Sequence, residues 1–103
     1  MVESIIQTET ERCYLCGMYG NGDPLDRHHV FFGRNRSNSE KYGLTVYLHH
    51  NKCHIFGKES VHANARVCRK LQAHVQEKAM EHYGWSVSDF RKIFGKNYTD
   101  KEE

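Results

Sequence analysis

The chain has no apolar run approaching the roughly 20 residues needed to cross a bilayer, so a membrane-spanning protein is excluded as a reading and no membrane partner is expected. It also lacks internal repeats and low-complexity tracts, which removes solenoid and fibrous architectures. Residues 1–11 are polar and acidic, without the basic-then-apolar order of a secretory leader, and this sets the expectation of an intracellular, cytoplasmic location. Acidic residues are scarce in the body of the chain. Glu3, Glu9 and Glu11 lie in the leading arm, and Asp100, Glu102 and Glu103 in the trailing tail. Residues 12–98 carry 14 Lys and Arg against 7 Asp and Glu, a balance of +7 hidden behind an overall net charge of +2. A basic body with acidic ends suits a polyanion such as nucleic acid; the plainer alternative is a solvated, lysine-rich surface.

At 103 residues the chain is a single domain, small enough that a bound metal would add useful support to its core. There are four cysteines, at 13, 16, 53 and 68. In a reducing compartment, Cys13-Tyr-Leu-Cys16, remote from any thioredoxin-like βαβ pattern, reads as a pair of metal ligands rather than a disulfide.

Residues 1–11 show no persuasive period and are expected to form a loose arm or a short pairing segment. A turn-rich stretch, Gly17 to Pro24, follows the C-x2-C pair. Arg27 to Phe32 reads as a strand, the polar and basic RNRSNSEK of residues 34–41 as a loop, and Leu44 to Leu48 as a second strand. After the His-rich HHNKCH and a short turn through Gly57, Ser60 or Asn64 caps a helix that runs to about Tyr83 and stops at Gly84. Val67, Leu71, Val75 and Ala79 recur every four residues along it, with Cys68 widening the apolar stripe. A second helix is expected from Ser86, spaced from Asp89 as in a capping box, to Gly95. The fold class is α+β.

Eight histidines is a high count for this length, and six of them fall between positions 28 and 62. His74 and His82, on the long helix, read as ordinary surface or satisfied core residues. Cys13, Cys16 and Cys53 supply three ligands of a tetrahedral structural zinc, with the fourth from His49 or His50. His50 is favoured because His50-Asn-Lys-Cys53 repeats the two-residue spacing of the first pair. Cys68 is assigned to packing. A second set comprises His28, His29, His54 and His62. Adjacent residues on a strand face opposite ways, so His28 and His29 cannot easily serve one ion and should have different tasks. His28, His54 and His62 together would hold a divalent ion with open positions, as catalytic sites do, leaving His29 beside it as a general base.

Taken together, Cys13-x2-Cys16, His28-His29 on the first strand, the second strand, Cys53-His54 and His62 resemble the HNH, or ββα-metal, nuclease family, and most of all its small phage-encoded members with a zinc knuckle. The resemblance covers roughly residues 12–64, with residues 1–11 as an arm, 65–98 as C-terminal helices and 99–103 as an acidic tail. It implies a small ββα-metal core and metal-dependent hydrolysis of DNA phosphodiester bonds, giving 5′-phosphate and 3′-hydroxyl products. His29 matches the general base and His28 the adjacent catalytic and metal residue. His54 matches the histidine opening the helical part of the motif. His62 is the second ligand there, although seven residues separate it from His54 and Lys58 occupies the one-turn position. The family's middle Asn, which pins the loop between the strands, would fall near Leu44 or Thr45; neither is Asn, and Thr45, Asn35, Asn38 or Asn51 are the substitutes available. Arg34, Arg36 and Lys41 are the expected contacts to the DNA backbone. The implied cofactors are a structural zinc and a catalytic divalent metal, magnesium, manganese, zinc or nickel. Partners would be DNA and, for a phage protein acting in the host cytoplasm, DNA-processing or packaging proteins. A zinc-stabilised nucleic-acid-binding module without catalysis, or an accessory part of such a machine, is the alternative.

Overall fold

The computed structural model describes residues 2–55, 57–58 and 60–99. The acidic tail expected at Asp100, Glu102 and Glu103, and residues Phe56 and Glu59 of the turn, lie outside the described residues. The protein is α+β. Strands β1 (Leu25–His29) and β2 (Thr45–His49) form a two-stranded antiparallel sheet, with Leu25 opposite His49 and His29 opposite Thr45. A π-type turn, His50–Ile55, follows β2. Helix α2 spans Ala65–Tyr83 and helix α3 Val87–Phe94. Among the described residues, no helix is long and apolar enough to cross a membrane.

The segment expected to be a loop at 34–41 is instead a 3-10 turn, Gly33–Asn35, running into helix α1, Arg36–Tyr42. Apart from Tyr42, whose ring packs against Tyr83 and Trp85, its inner face is anchored by hydrogen bonds, which is why no hydrophobic period announces it. The fully buried Ser39 donates its hydroxyl to the Phe31 carbonyl at 2.6 Å and accepts from the Phe31 amide at 3.0 Å. The amides of Asn35 and Asn38 donate to the carbonyls of Phe94 and Ile93 at the end of α3. Gly43 ends α1 at φ 71°, a conformation in which any other residue would be strained.

Both C-terminal helices carry the punctuation read from sequence. Asn64 caps α2 by accepting from the amides of Arg66 and Val67, while Ser60 accepts from Ala63 in the turn just before. Ser86 and Asp89 form a reciprocal capping box on α3. The core joins Leu44, Val46 and Leu48 to Leu71, Val75 and Ala79 of α2 and to Phe90 and Phe94 of α3. Phe31 sits at its centre, its ring centroid 5.0 Å from Phe94 and 4.8 Å from Tyr98. Each such side chain contributes about 1.5–3 kcal/mol when removed from water. The N-terminal arm shields the outer edge of β2, as an exposed strand edge requires. Ile5 donates to Gly43, Ser4 to Thr45 and Tyr14 to Tyr47 carbonyls, and the Tyr47 amide donates to the Gln7 side chain.

Candidate functional site

Cys13 and Cys16 are presented by a tight turn in which the Gly17 amide donates to the Cys13 carbonyl and Gly17 adopts φ 75°. Cys53 comes from the π-type turn, and His49 from the end of β2. The ligand atoms of these four residues all lie within 4.8 Å of one another, a Cys3His cluster that can hold a metal such as zinc. His49 Nδ1 is 3.3 Å from the Cys16 sulfur and 3.9 Å from that of Cys53. Those values bracket the separation of about 3.6 Å expected for N and S ligands at tetrahedral positions on one zinc. The expectation that His50 would be the fourth ligand is therefore corrected to His49. Strand alternation and the turn's winding direct the two rings apart: His49 joins the sulfurs, while His50 Nδ1 lies 2.5 Å from the Asp26 carboxylate. His49 Nε2 is 2.8 Å from the Tyr19 carbonyl. A carbonyl only accepts, so Nε2 carries the proton and Nδ1 is left with its lone pair toward the sulfurs.

Three thiols at one point cannot all ionise without a cation between them. Burial opposes ionisation of Cys13, but amide donors from Cys16, His49 and Leu15 outweigh it and hold this thiol below its ordinary value. Burial, and then the neighbouring Cys13, pushes Cys53 above its own. Cys68 is half-buried against the core, away from this cluster.

The second cluster brings together His28 of β1, His54 of the π-type turn and His62 of the turn preceding α2. The His62 and His54 amides and carbonyls help to set this: the His62 amide donates to the His54 carbonyl at 3.0 Å. The ring centroids of His28 lie 4.9 Å from His54 and 5.6 Å from His62. His54 Nε2 and His62 Nε2 are 3.1 Å apart, against about 3.4 Å for two imidazole nitrogens on one tetrahedral ion. His28 is buried, and its Nε2 has no hydrogen-bond partner among the described residues. Burial first, and then the neighbouring His54 and His62, pushes His28 down to about 3, so its ring is neutral and offers a lone pair. His62 is lowered for the same two reasons, burial and His54. Asp26, two residues before His28 and on the same face of β1, lies 2.9 Å from His54 Nδ1. It fixes the tautomer that turns His54 Nε2 toward its neighbours, the carboxylate–imidazole arrangement common behind metal ligands.

His29 takes the opposite face. Its Nε2 lies 3.0 Å from Glu40 of α1, whose carboxylate also receives both guanidinium nitrogens of Arg27 at 2.6 and 3.0 Å. Arg27 first, and His29 second, hold the Glu40 carboxyl well below the usual range. His28, His29, His54 and His62 nonetheless line one open cleft, together with Arg27, Phe32 and Arg36. Of the three cations expected to meet DNA, Arg36 lines this cleft; Arg34 faces a different groove, and Lys41 lies over the Tyr42 ring at 5.3 Å. Of the substitutes for the middle Asn, Asn35 and Asn38 tie α1 to α3, Asn51 bonds Asp23, and the Thr45 hydroxyl is buried without a partner among the described residues. The loop after β1 is pinned by Ser39.

Sequence reasoning missed Asp26, Glu40, Arg27 and Ser39. Asp26 had a signal, its two-residue spacing from His28 on a strand; Glu40 and Ser39 had none, since their helix was read as a loop. Comparison with protein-family models, curated proteins and solved structures found no match.

Proposed function

We propose that the protein is a metal-dependent endonuclease of the HNH type, hydrolysing phosphodiester bonds in DNA. The observation that carries this reading is the cleft in which three imidazoles converge, one with a buried and unpartnered nitrogen, beside a fourth imidazole braced by a carboxylate. The donor set fits a divalent ion: His28 Nε2 lacks any other partner among the described residues, and Asp26 presets His54. An ion held by His28, His54 and His62 would stabilise negative charge developing on the phosphate. Three imidazoles favour transition ions over magnesium on affinity.

The chain's own residues would do the rest. The Glu40 carboxylate, which only accepts, lies closer to His29 Nε2 at 3.0 Å than the donating Arg27 guanidinium does at 3.3 Å, so a neutral His29 would carry its proton on Nε2 and keep Nδ1 as the base. His29 would take a proton from water, whose oxygen bonds to phosphorus while the bond to the 3′ oxygen breaks; the departing oxygen takes a proton from solvent water, leaving 5′-phosphate and 3′-hydroxyl ends. Arg36, at the cleft wall, would hold the phosphate in register. The sulfur-bound metal would serve architecture, fixing the turn from which His54 projects next to Cys53.

Supercoiled plasmid incubated with magnesium, manganese, zinc or nickel tests the reading. Nicking or linearisation is expected with at least one ion, and His29→Ala should slow it about 10²–10⁴-fold while metal binding persists. Absence of cleavage with every ion, or cleavage unaffected by His29→Ala, overturns it.

A further inference from the structure

A second groove lies between α1 and the C-terminal end of α3, with Arg34, Asn35, Asn38, Lys92, Lys96 and Tyr98 on its walls. Among the described residues its lining holds three cations and no carboxylate. Basic residues at the last turn of a helix often do no more than offset the macrodipole. Here the carbonyls of Phe94 and Ile93 are already met by the amides of Asn35 and Asn38. Those two bonds also lock α1 to α3, so the cations stand on a rigid platform. Arg34, Lys92 and Lys96 are exposed; Lys96 Nζ is 5.1 Å from the Tyr98 ring centroid, and Lys92 lies within reach of Asp89 one turn back.

Arg34 and Arg36 flank the junction of the 3-10 turn and α1, Arg34 lining this groove and Arg36 lining the histidine cleft. We propose that the groove is a second contact surface for the backbone of double-stranded DNA, engaging phosphates beyond the one under attack. The proposal rests on the nuclease reading and gives the C-terminal helices a part in substrate binding. Three cations in one groove, with no carboxylate among the described lining residues, suit a phosphate backbone, since such contacts position the duplex without reading its sequence.

Binding of a short DNA duplex by the full-length His29→Ala protein, measured as a function of salt, tests it. Adding Arg34→Ala, Lys92→Ala and Lys96→Ala should reduce the slope of log affinity against log salt by about 0.9 per side chain, hence by roughly 2–3. The same number of charges removed from the exposed face of α2, as Arg66→Ala, Arg69→Ala and Lys70→Ala, should leave the slope near that of the parent. All six side chains are exposed, so thermal melts of the two triple variants should match the parent. Equal loss of slope in both triples, or no loss in the first, overturns the proposal while wild-type plasmid cleavage leaves the nuclease reading intact. If the wild-type chain neither cleaves nor binds DNA, the nuclease reading fails and this proposal with it.

Discussion

The ring of His29 and the carboxylate of Glu40 meet at 3.0 Å, joining the first strand to the helix that follows it. Glu40 is held in turn by Arg27, so the ring's orientation depends on three side chains from two elements. Glu40→Gln keeps the shape and removes the charge. It should lower kcat/KM for plasmid cleavage by about 10–100-fold, the usual cost of losing the group that orients a working histidine. Duplex binding by the same protein should be little changed. A cleavage rate equal to wild type would show that Glu40 serves only the fold.

Glu40 also predicts a pH dependence. Its folded carboxyl is held low by Arg27, His29 and the Val2 amide, so its contribution to stability is present above the ordinary carboxyl value near ~4.3 and fades as pH falls toward the folded value. The stability gap between wild type and Glu40→Gln, measured by denaturant unfolding, should be widest near neutrality and narrow in acid. Any loss of bound metal at low pH would affect both proteins alike, so the difference isolates this carboxylate.

Asp26 stands behind His54 and beside His50. Asp26→Asn keeps a hydrogen-bonding group but lets the amide flip and frees the His54 tautomer. Metal affinity at the three-histidine cluster should fall about 10–100-fold by chelator competition. Zinc held by the sulfur cluster should not change.

The adjacent histidines of the HHNKCH segment separate cleanly by substitution. His49→Ala removes one ligand of the Cys3His cluster and should release its zinc on dialysis, with a large fall in melting temperature. His50→Ala should retain that zinc. The reverse pattern would restore the spacing-based assignment.

Ser39→Ala strips both hydrogen bonds from Phe31 at a fully buried site. Two orphaned backbone groups predict a loss of roughly 2–4 kcal/mol in denaturant unfolding. The strand carrying His28 and His29 would lose its anchor, so cleavage should fall with stability.

Much of the scaffold was legible because it is local. The Ser86–Asp89 capping box, the glycine stops at Gly84 and Gly95 and the Leu71, Val75, Ala79 stripe depend only on neighbours along the chain. The two strands are legible with edges shifted by one to three residues, since β1 runs Leu25–His29 rather than Arg27–Phe32 and β2 runs Thr45–His49 rather than Leu44–Leu48. Helix α1 was not legible: Ser39, Asn35 and Asn38 hold it through polar bonds to partners distant in sequence, and a hydrophobic period cannot report those.

The sequence by itself determined the chemical inventory: three cysteines spaced for sulfur ligation, a crowd of imidazoles and a basic body. Tertiary structure decided the partnerships. Whether His49 or His50 turns to the sulfurs, which carboxylate stands behind His54, and that Glu40 reaches His29 all follow from strand register and helix docking. Residue type and spacing are properties of short segments. The meeting of side chains from distant segments is fixed only when the core packs and the elements dock against one another.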